Sequence, residues 1–185
     1  MKNRQILLVL LCLVLAGCSP SGDKQVGNGN AEPEAVASDS RMYNMEKYAR
    51  INPGQSYGEV ETIMGNPGEA MVDNDRLKQY QWTNEDGSMV SVTFYDDAMT
   101  GKGQAHLGPL LKGEKAVTAA MFDKIGEGME MQEVVDILGP GTERMLVVVD
   151  GREEVMMGWD NDDGGGISVT LLDGKVIKKT DSMLK

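Results

Sequence analysis

From Arg41 onward the chain passes twice from helical spacing of its apolar residues to strand spacing. In the first pass, Ser56-x-x-Glu59 has the form of a capping box. Val60, Ile63 and Met64 then fall on one helical face, and Gly65 follows, the residue type that most readily takes the left-handed turn closing a helix. In the second pass Glu130 stands at the cap, Val134, Ile137 and Leu138 form the stripe, and Gly139 closes it. A shorter helix is expected ahead of each, over about 41–50 and about 118–125. Behind each come runs alternating with period two and broken by Gly, Asn and Asp. They cover about 69–72, 77–83, 88–96 and 98–103, then about 144–149, 153–159, 166–172 and 175–180. Helices ahead of strands in both passes predict an α+β fold with an antiparallel sheet.

The two passes are copies of one unit. "YARINPGQSYGEVETIMGNPG" (48–68) superposes on "FDKIGEGMEMQEVVDILGPG" (122–141), with Tyr48 on Phe122, Ile51 on Ile125 and Glu59-Val60 on Glu133-Val134. "QWTNEDGSMVSVTFYDD" (81–97) superposes on "GWDNDDGGGISVTLLDG" (158–174), with Trp82 on Trp159. The organisation expected is repeat 1 over 41–106, a linker over 107–117 and repeat 2 over 118–185. Each copy is expected to be a helix–helix–sheet unit with its helices on one face of its antiparallel sheet.

Alternation assigns the faces. Val90, Val92 and Phe94 share one side of a strand, as do Ile167, Val169 and Leu171, and that side is the core. Gln79, Gln81 and Thr83 are the polar alternates of their strand, which turns Tyr80 and Trp82 toward the helices unless the pairing slips by one residue and exchanges the faces. The open face then carries Gln79, Gln81, Ser91, Thr93 and Tyr95 from repeat 1, with Met156, Ser168, Thr170 and Leu172 from repeat 2. These residues are the candidate partner-binding surface.

The acidic stretch "DNDDGGG" (160–166) occupies the slot of "TNEDGSM" (83–89) between two strand-like runs, where Asp, Asn and Gly are hairpin residues. Asp160 and Asp162 mimic the opening of a calcium loop, but the twelfth position would be Leu171, where a bidentate Glu is needed. A turn is expected there, and no metal site.

Ahead of the repeats, "MKNRQILLVLLCLVLAGC" has a basic start at Lys2 and Arg4, then an apolar run from Ile6 to Leu15. That run is shorter than the ~20 residues of a spanning helix and has the length of a signal-peptide core. Leu15-Ala16-Gly17-Cys18 resembles the lipobox of bacterial lipoproteins, which implies cleavage before Cys18 and acylation of that cysteine. With Cys12 removed and Cys18 lipidated, no thiol is left for catalysis or a disulfide. Residues 19–40, rich in Gly, Ser, Asn, Pro and acid, read as a flexible tether with a reach of roughly 25 Å. The expected place is the cell envelope outside the cytoplasm. Ser19 after the cysteine is compatible with the outer membrane of a two-membraned bacterium; otherwise the site is the outer leaflet of the single membrane.

Composition narrows the function. A formal net charge of −11 disfavours nucleic acid and anionic membrane surfaces as partners. The single histidine, His106, lies between the repeats, and no Gly-rich loop precedes a helix, so hydrolase triads, zinc sites and phosphate loops are hard to build. No enzyme activity, cofactor or small-molecule substrate is expected.

The pattern F-x-x-I-x-x-G-M-x-x-x-E-V-x-x-I-L-G-x-G over Phe122 to Gly141 resembles the SmpA/OmlA (BamE-like) domain of bacterial lipoproteins. Two such units in tandem resemble the beta-lactamase inhibitory proteins and their lipoprotein relatives. That likeness implies one long concave sheet made from two repeats, without the disulfides of the secreted inhibitors. The function expected is a non-enzymatic, lipid-anchored envelope protein whose sheet binds another protein, in envelope or outer-membrane maintenance. The alternative is an inhibitor of a beta-lactamase-like or cell-wall enzyme. If Cys18 is the anchor, Cys18→Ser moves the protein from the membrane to the soluble fraction while the circular dichroism of residues 41–185 is unchanged. Persistent membrane attachment of the variant rules this out.

Overall fold

A computed structural model describes residues 41–108 and 116–184. The signal segment with Cys18, the tether and most of the linker lie outside the described residues. Each repeat is two helices followed by four strands. Repeat 1 holds α1 (Met45–Ala49), α2 (Tyr57–Met64), β1 (Glu69–Asp73), β2 (Leu77–Thr83), β3 (Met89–Tyr95) and β4 (Ala98–Ala105). Repeat 2 holds α3 (Ala119–Phe122), α4 (Met131–Leu138), β5 (Thr142–Val149), β6 (Arg152–Asp160), β7 (Gly166–Leu172) and β8 (Lys175–Ser182). The strands form one antiparallel sheet in the order β1 to β8, with every strand next to its sequence neighbour.

All eight expected strands are present. The leading helices are shorter than expected: α1 has five residues and α3 has four. After α1 the chain dives inward at Ile51, which is fully buried, and Pro53 disfavours helix at Asn52. After α3, Ile125 is buried in the same way and Gly126 follows.

The longer helices begin as their sequences dictate. Ser56 N donates to Glu59 Oε2 at 2.8 Å, and Glu130 N donates to Glu133 Oε2 at 2.8 Å. α2 ends at Gly65 with φ of 90°. Val60 and Met64, then Val134 and Leu138, point into the sheet.

The interior forms two clusters, one for each copy. At the centre of the first, Trp82 is 1% exposed and its Nε1 donates to the Asn66 carbonyl at 3.0 Å; Trp159, 5% exposed, donates to the Gly139 carbonyl at 2.9 Å. Both indoles lie against glycine. A Cβ on Gly68 would sit 2.8 Å from Trp82, and one on Gly141 would sit 2.6 Å from Trp159. The last glycine of "GNPG" and of "GPG" is therefore a space requirement for the tryptophan of the same copy.

Three further joints are duplicated. Asn84 accepts from Tyr43 N and donates to the Tyr43 carbonyl, while Asn161 does the same for both backbone groups of Val117. These side chains tie the start of each repeat to its second hairpin. The backbone of Met99 bonds to Gly54 and Gln55, and that of Val176 to Gly128 and Met129, so each inter-helix loop docks on the last strand of its copy. Lys102 lies over the Tyr48 ring and donates to the Tyr48 carbonyl, as Lys179 does to Phe122.

Truncating either tryptophan removes the centre of a cluster. Trp82→Ala and Trp159→Ala are each expected to cost about 3–5 kcal/mol in chemical denaturation. Gly141→Ala, which pushes a methyl into the indole, should cost about 1–3 kcal/mol. Two tryptophan variants as stable as the parent would show that the clusters are not the core.

Candidate binding face and inter-repeat seam

Two cross-strand rows define the side of the sheet on which no described helix packs. The pairs Glu69–Gln81, Gln81–Ser91, Ser91–Gly103, Gly103–Met145, Met145–Met156, Met156–Thr170 and Thr170–Lys178 form one row across all eight strands. The next row runs Gln79–Thr93–Gly101–Val147–Glu154–Leu172. The sequence-derived candidates Gln79, Gln81, Ser91, Thr93, Met156, Thr170 and Leu172 fall on these rows, and Tyr95 and Ser168 lie in register on the same side.

One candidate offers little surface. Thr170 is only 9% exposed, because it sits between Met156 on β6 and Lys178 on β8 rather than at an edge. Tyr95 is more available than its neighbours at 45% exposed; it is paired with Leu77 and overlaid by the Arg76 guanidinium at 4.6 Å.

The middle of the face was not legible from the alternation of β2, β3, β6 and β7 alone. It is made by β4 and β5: Gly101 and Gly103 on one strand and Met145 and Val147 on the other. The signal was present in "MLVVV" (145–149), a strand apolar on both sides, which fits a position in the middle of a sheet. Glycines without side chains beside Met and Val give a low, apolar centre. Along the first row, charge appears only at the two ends, Glu69 and Lys178. Arg144, at a bulge in β5, lies across Gly158 and is ion-paired with Asp160. The second row carries one acid, Glu154, beside Val147; most other acidic residues ride on the helices (Glu46, Glu59, Glu61, Glu133, Asp136), at strand ends and in the turns.

The acidic hairpin of β6 and β7 is a turn that uses its own polar groups. Asp163 Oδ1 accepts from Gly165 N at 3.1 Å, as Asp86 Oδ1 accepts from Ser88 N at 2.9 Å in repeat 1. Bonds to Ser88 hold the Asp86 carboxyl below its usual range. Among the described residues no three His, Cys, Asp or Glu side chains converge as metal ligands. His106 is exposed, and its carbonyl accepts from Arg41 at 2.9 Å.

The two repeats meet at a seam with only three residue pairs, Gly101–Val147, Lys102–Leu146 and Gly103–Met145, of which Lys102–Leu146 points to the helix side of the sheet. Lys102, 5% exposed, pairs there with Glu143 at 3.0 Å, and Gln104 Nε2 donates to the Glu143 carbonyl at 3.1 Å. Leu146, from repeat 2, is buried in the cluster of repeat 1, where Val148 and Val155 also pack. Burial, and then the Glu143 charge, push the Tyr48 hydroxyl far above the usual tyrosine range, so it stays protonated.

The described residues thus form a duplicated helix–sheet scaffold with one side of its sheet uncovered by any described helix. The chain belongs to the beta-lactamase inhibitor (BLIP) family, whose profile matches residues 44–146, from α1 across the seam into β5. Its fold is similar to that of a Streptococcus mutans crystal structure described as a candidate beta-lactamase inhibitor protein, with a TM-score of 0.57 at 17% identity. The similarity covers 74% of this chain and 87% of that one. No curated protein matches. The tandem, inhibitor-like part of the sequence resemblance is thereby supported, while the SmpA/OmlA likeness stays an expectation from the sequence.

Lys102→Met leaves the Glu143 carboxylate without its partner. It is expected to cost about 3 kcal/mol, at the low end for a buried pair because Glu143 keeps some contact with water. Adding Glu143→Leu should recover most of that loss in urea denaturation. A double variant less stable than Lys102→Met alone would contradict this account of the seam.

Proposed function

We propose that the chain is a non-catalytic, lipid-anchored envelope protein that captures a beta-lactamase-like enzyme on the open face of its sheet. The observation that carries this reading is the apolar, low-relief centre formed by Gly101, Gly103, Met145 and Val147 on the side that no described helix covers. Family membership supplies the class of partner, and Cys18 with the tether supplies a way to hold the protein at the membrane. In a family of inhibitors, binding is the activity.

Polar residues flank the centre on both sides: Gln79, Gln81, Ser91 and Thr93 toward β1, and Ser168 and Thr170 toward β8. An apolar middle inside a polar surround is the usual anatomy of a protein interface. A protruding loop or helix end with one apolar side chain fits over the two glycines, with hydrogen bonds to the Gln, Ser and Thr side chains. Tyr95, exposed beside Arg76, is the aromatic anchor best placed at the margin.

The direct test is titration of the lipid-free protein against purified serine beta-lactamases and membrane D,D-peptidases, reading nitrocefin hydrolysis and binding by calorimetry. Saturable binding to at least one is expected. Val147→Asp and Met145→Asp should each weaken it about tenfold or more, with little effect on stability. Because the centre is uncharged, raising salt from low to physiological strength should change the affinity little. Binding that survives both aspartate variants places the contact elsewhere, and no binding to either enzyme class rejects the proposed partner.

A further inference from the structure

Gly101 and Gly103 lie in the interior of β4, on the open face, and the fold does not ask for either. A Cβ at Gly101 or Gly103 would meet nothing closer than 3.7 Å, and neither residue has a positive φ. At the equivalent places in β8, Lys178 and Thr180 carry side chains on the same backbone course. Gly68 and Gly141 differ in this, since their missing side chains make room for a tryptophan. Glycine inside a strand weakens it and often marks a close approach by another backbone or a ligand. On β4 the space left open faces outward.

The groups that fit this space stand next to it. Met145 and Val147 on β5 pair with Gly103 and Gly101, and both are half-buried. A two-fold axis running along the strands, between β4 and β5, lays the two knobs of one copy over the two glycines of another. In the first row Gly103 then faces Met145 of the second copy, Ser91 faces Met156, Gln81 faces Thr170 and Glu69 faces Lys178. In the next row Gly101 faces Val147, Gln79 faces Leu172, and the Thr93 hydroxyl faces the Glu154 carboxylate as a donor. An axis across the strands does the reverse. It sets glycine over glycine, knob over knob, and each charged row end beside its own copy.

We infer that the open face binds a second copy of this chain in the first arrangement, as a closed two-fold pair that covers the apolar centre. That the pair masks the capture surface rests on the function proposed above; the pair itself does not. Stacked twisted sheets keep their strands within about 30° of one another, so contact is closest over the four central strands. At about 4.8 Å between strands and 3.3 Å per residue, four strands of about seven residues offer roughly 450 Å² per copy. That is near half of the ~800 Å² per partner in a standard complex, which makes the pair weak and displaceable. The charged row ends, farther apart, give orientation more than strength.

Sedimentation equilibrium of the soluble, lipid-free protein tests the pair with no enzyme present, so its result stands whatever the enzyme titration gives. A monomer–dimer equilibrium with a dissociation constant of about 10–200 µM is expected, within a loading range of about 5–500 µM. Gly103→Val fills the space while leaving the circular dichroism unchanged, and should weaken the pair about tenfold or more. Val147→Asp, on the facing side of the same contact, should do the same. Lys178→Glu and Glu69→Lys should each weaken it about threefold, and the double reversal should restore it. A protein that stays monomeric over the whole range overturns the inference. So does a pair indifferent to Gly103→Val and Val147→Asp, or one whose two charge reversals do not compensate.

Discussion

The structure depends on the joint between β4 and β5. Each repeat alone is four strands and two short helices, a unit near the lower limit of what a hydrophobic core can support. The joint brings only three residue pairs into register, but it also lends Leu146, Val148 and Val155 of the second copy to the cluster of the first. The Lys102–Glu143 pair then fixes the register, since a slip of one residue would part the charges and bury each alone. Continuity of the sheet and the position of the open face follow from that contact.

Duplication divides the residues into two groups. Those holding the fold recur in both copies: the tryptophans on their glycines, the asparagine ties of Asn84 and Asn161, and the lysines over Tyr48 and Phe122. The strand irregularities recur as well, near Met71 and Arg144 in the first strands and near Thr100 and Ile177 in the last. On the open face the correspondence breaks down. Gln79 answers to Met156, Gln81 to Gly158, and Gly101 and Gly103 to Lys178 and Thr180. One scaffold, built twice, presents two different surfaces, so the face can change without disturbing what lies beneath it.

Much of this was legible in the chain before any coordinates. Period-two runs located all eight strands, and the capping pairs located α2 and α4, because both signals are local. The leading helices were overestimated, since burial of Ile51 and Ile125, a tertiary effect, cuts them short. Asn84 and Asn161 read as turn residues, and they are in turns; their bonds to Tyr43 and Val117 link positions more than forty residues apart and leave no local trace. The centre of the open face was missed because β4 and β5 become neighbours only when the two copies are placed side by side. Glu143 was the least visible residue of all, because the first copy has Ala70 at the equivalent place.

That substitution has a consequence for self-association. A head-to-tail joint between equivalent surfaces does not close on itself, and repeated between molecules it grows an open filament. The β8 edge of this chain corresponds to the β4 edge that accepts β5, and the equivalent joint between molecules would set another molecule's β1 against it. It would meet Lys179 with Ala70 where the internal joint sets Glu143 against Lys102, and would bury an ammonium with no counter-ion. Lys178 stands where the internal joint has glycine, adding a second unmatched charge. The pairing that unites the two halves has no acid at the outer end, so the same joint made between two molecules would leave its lysine unmatched.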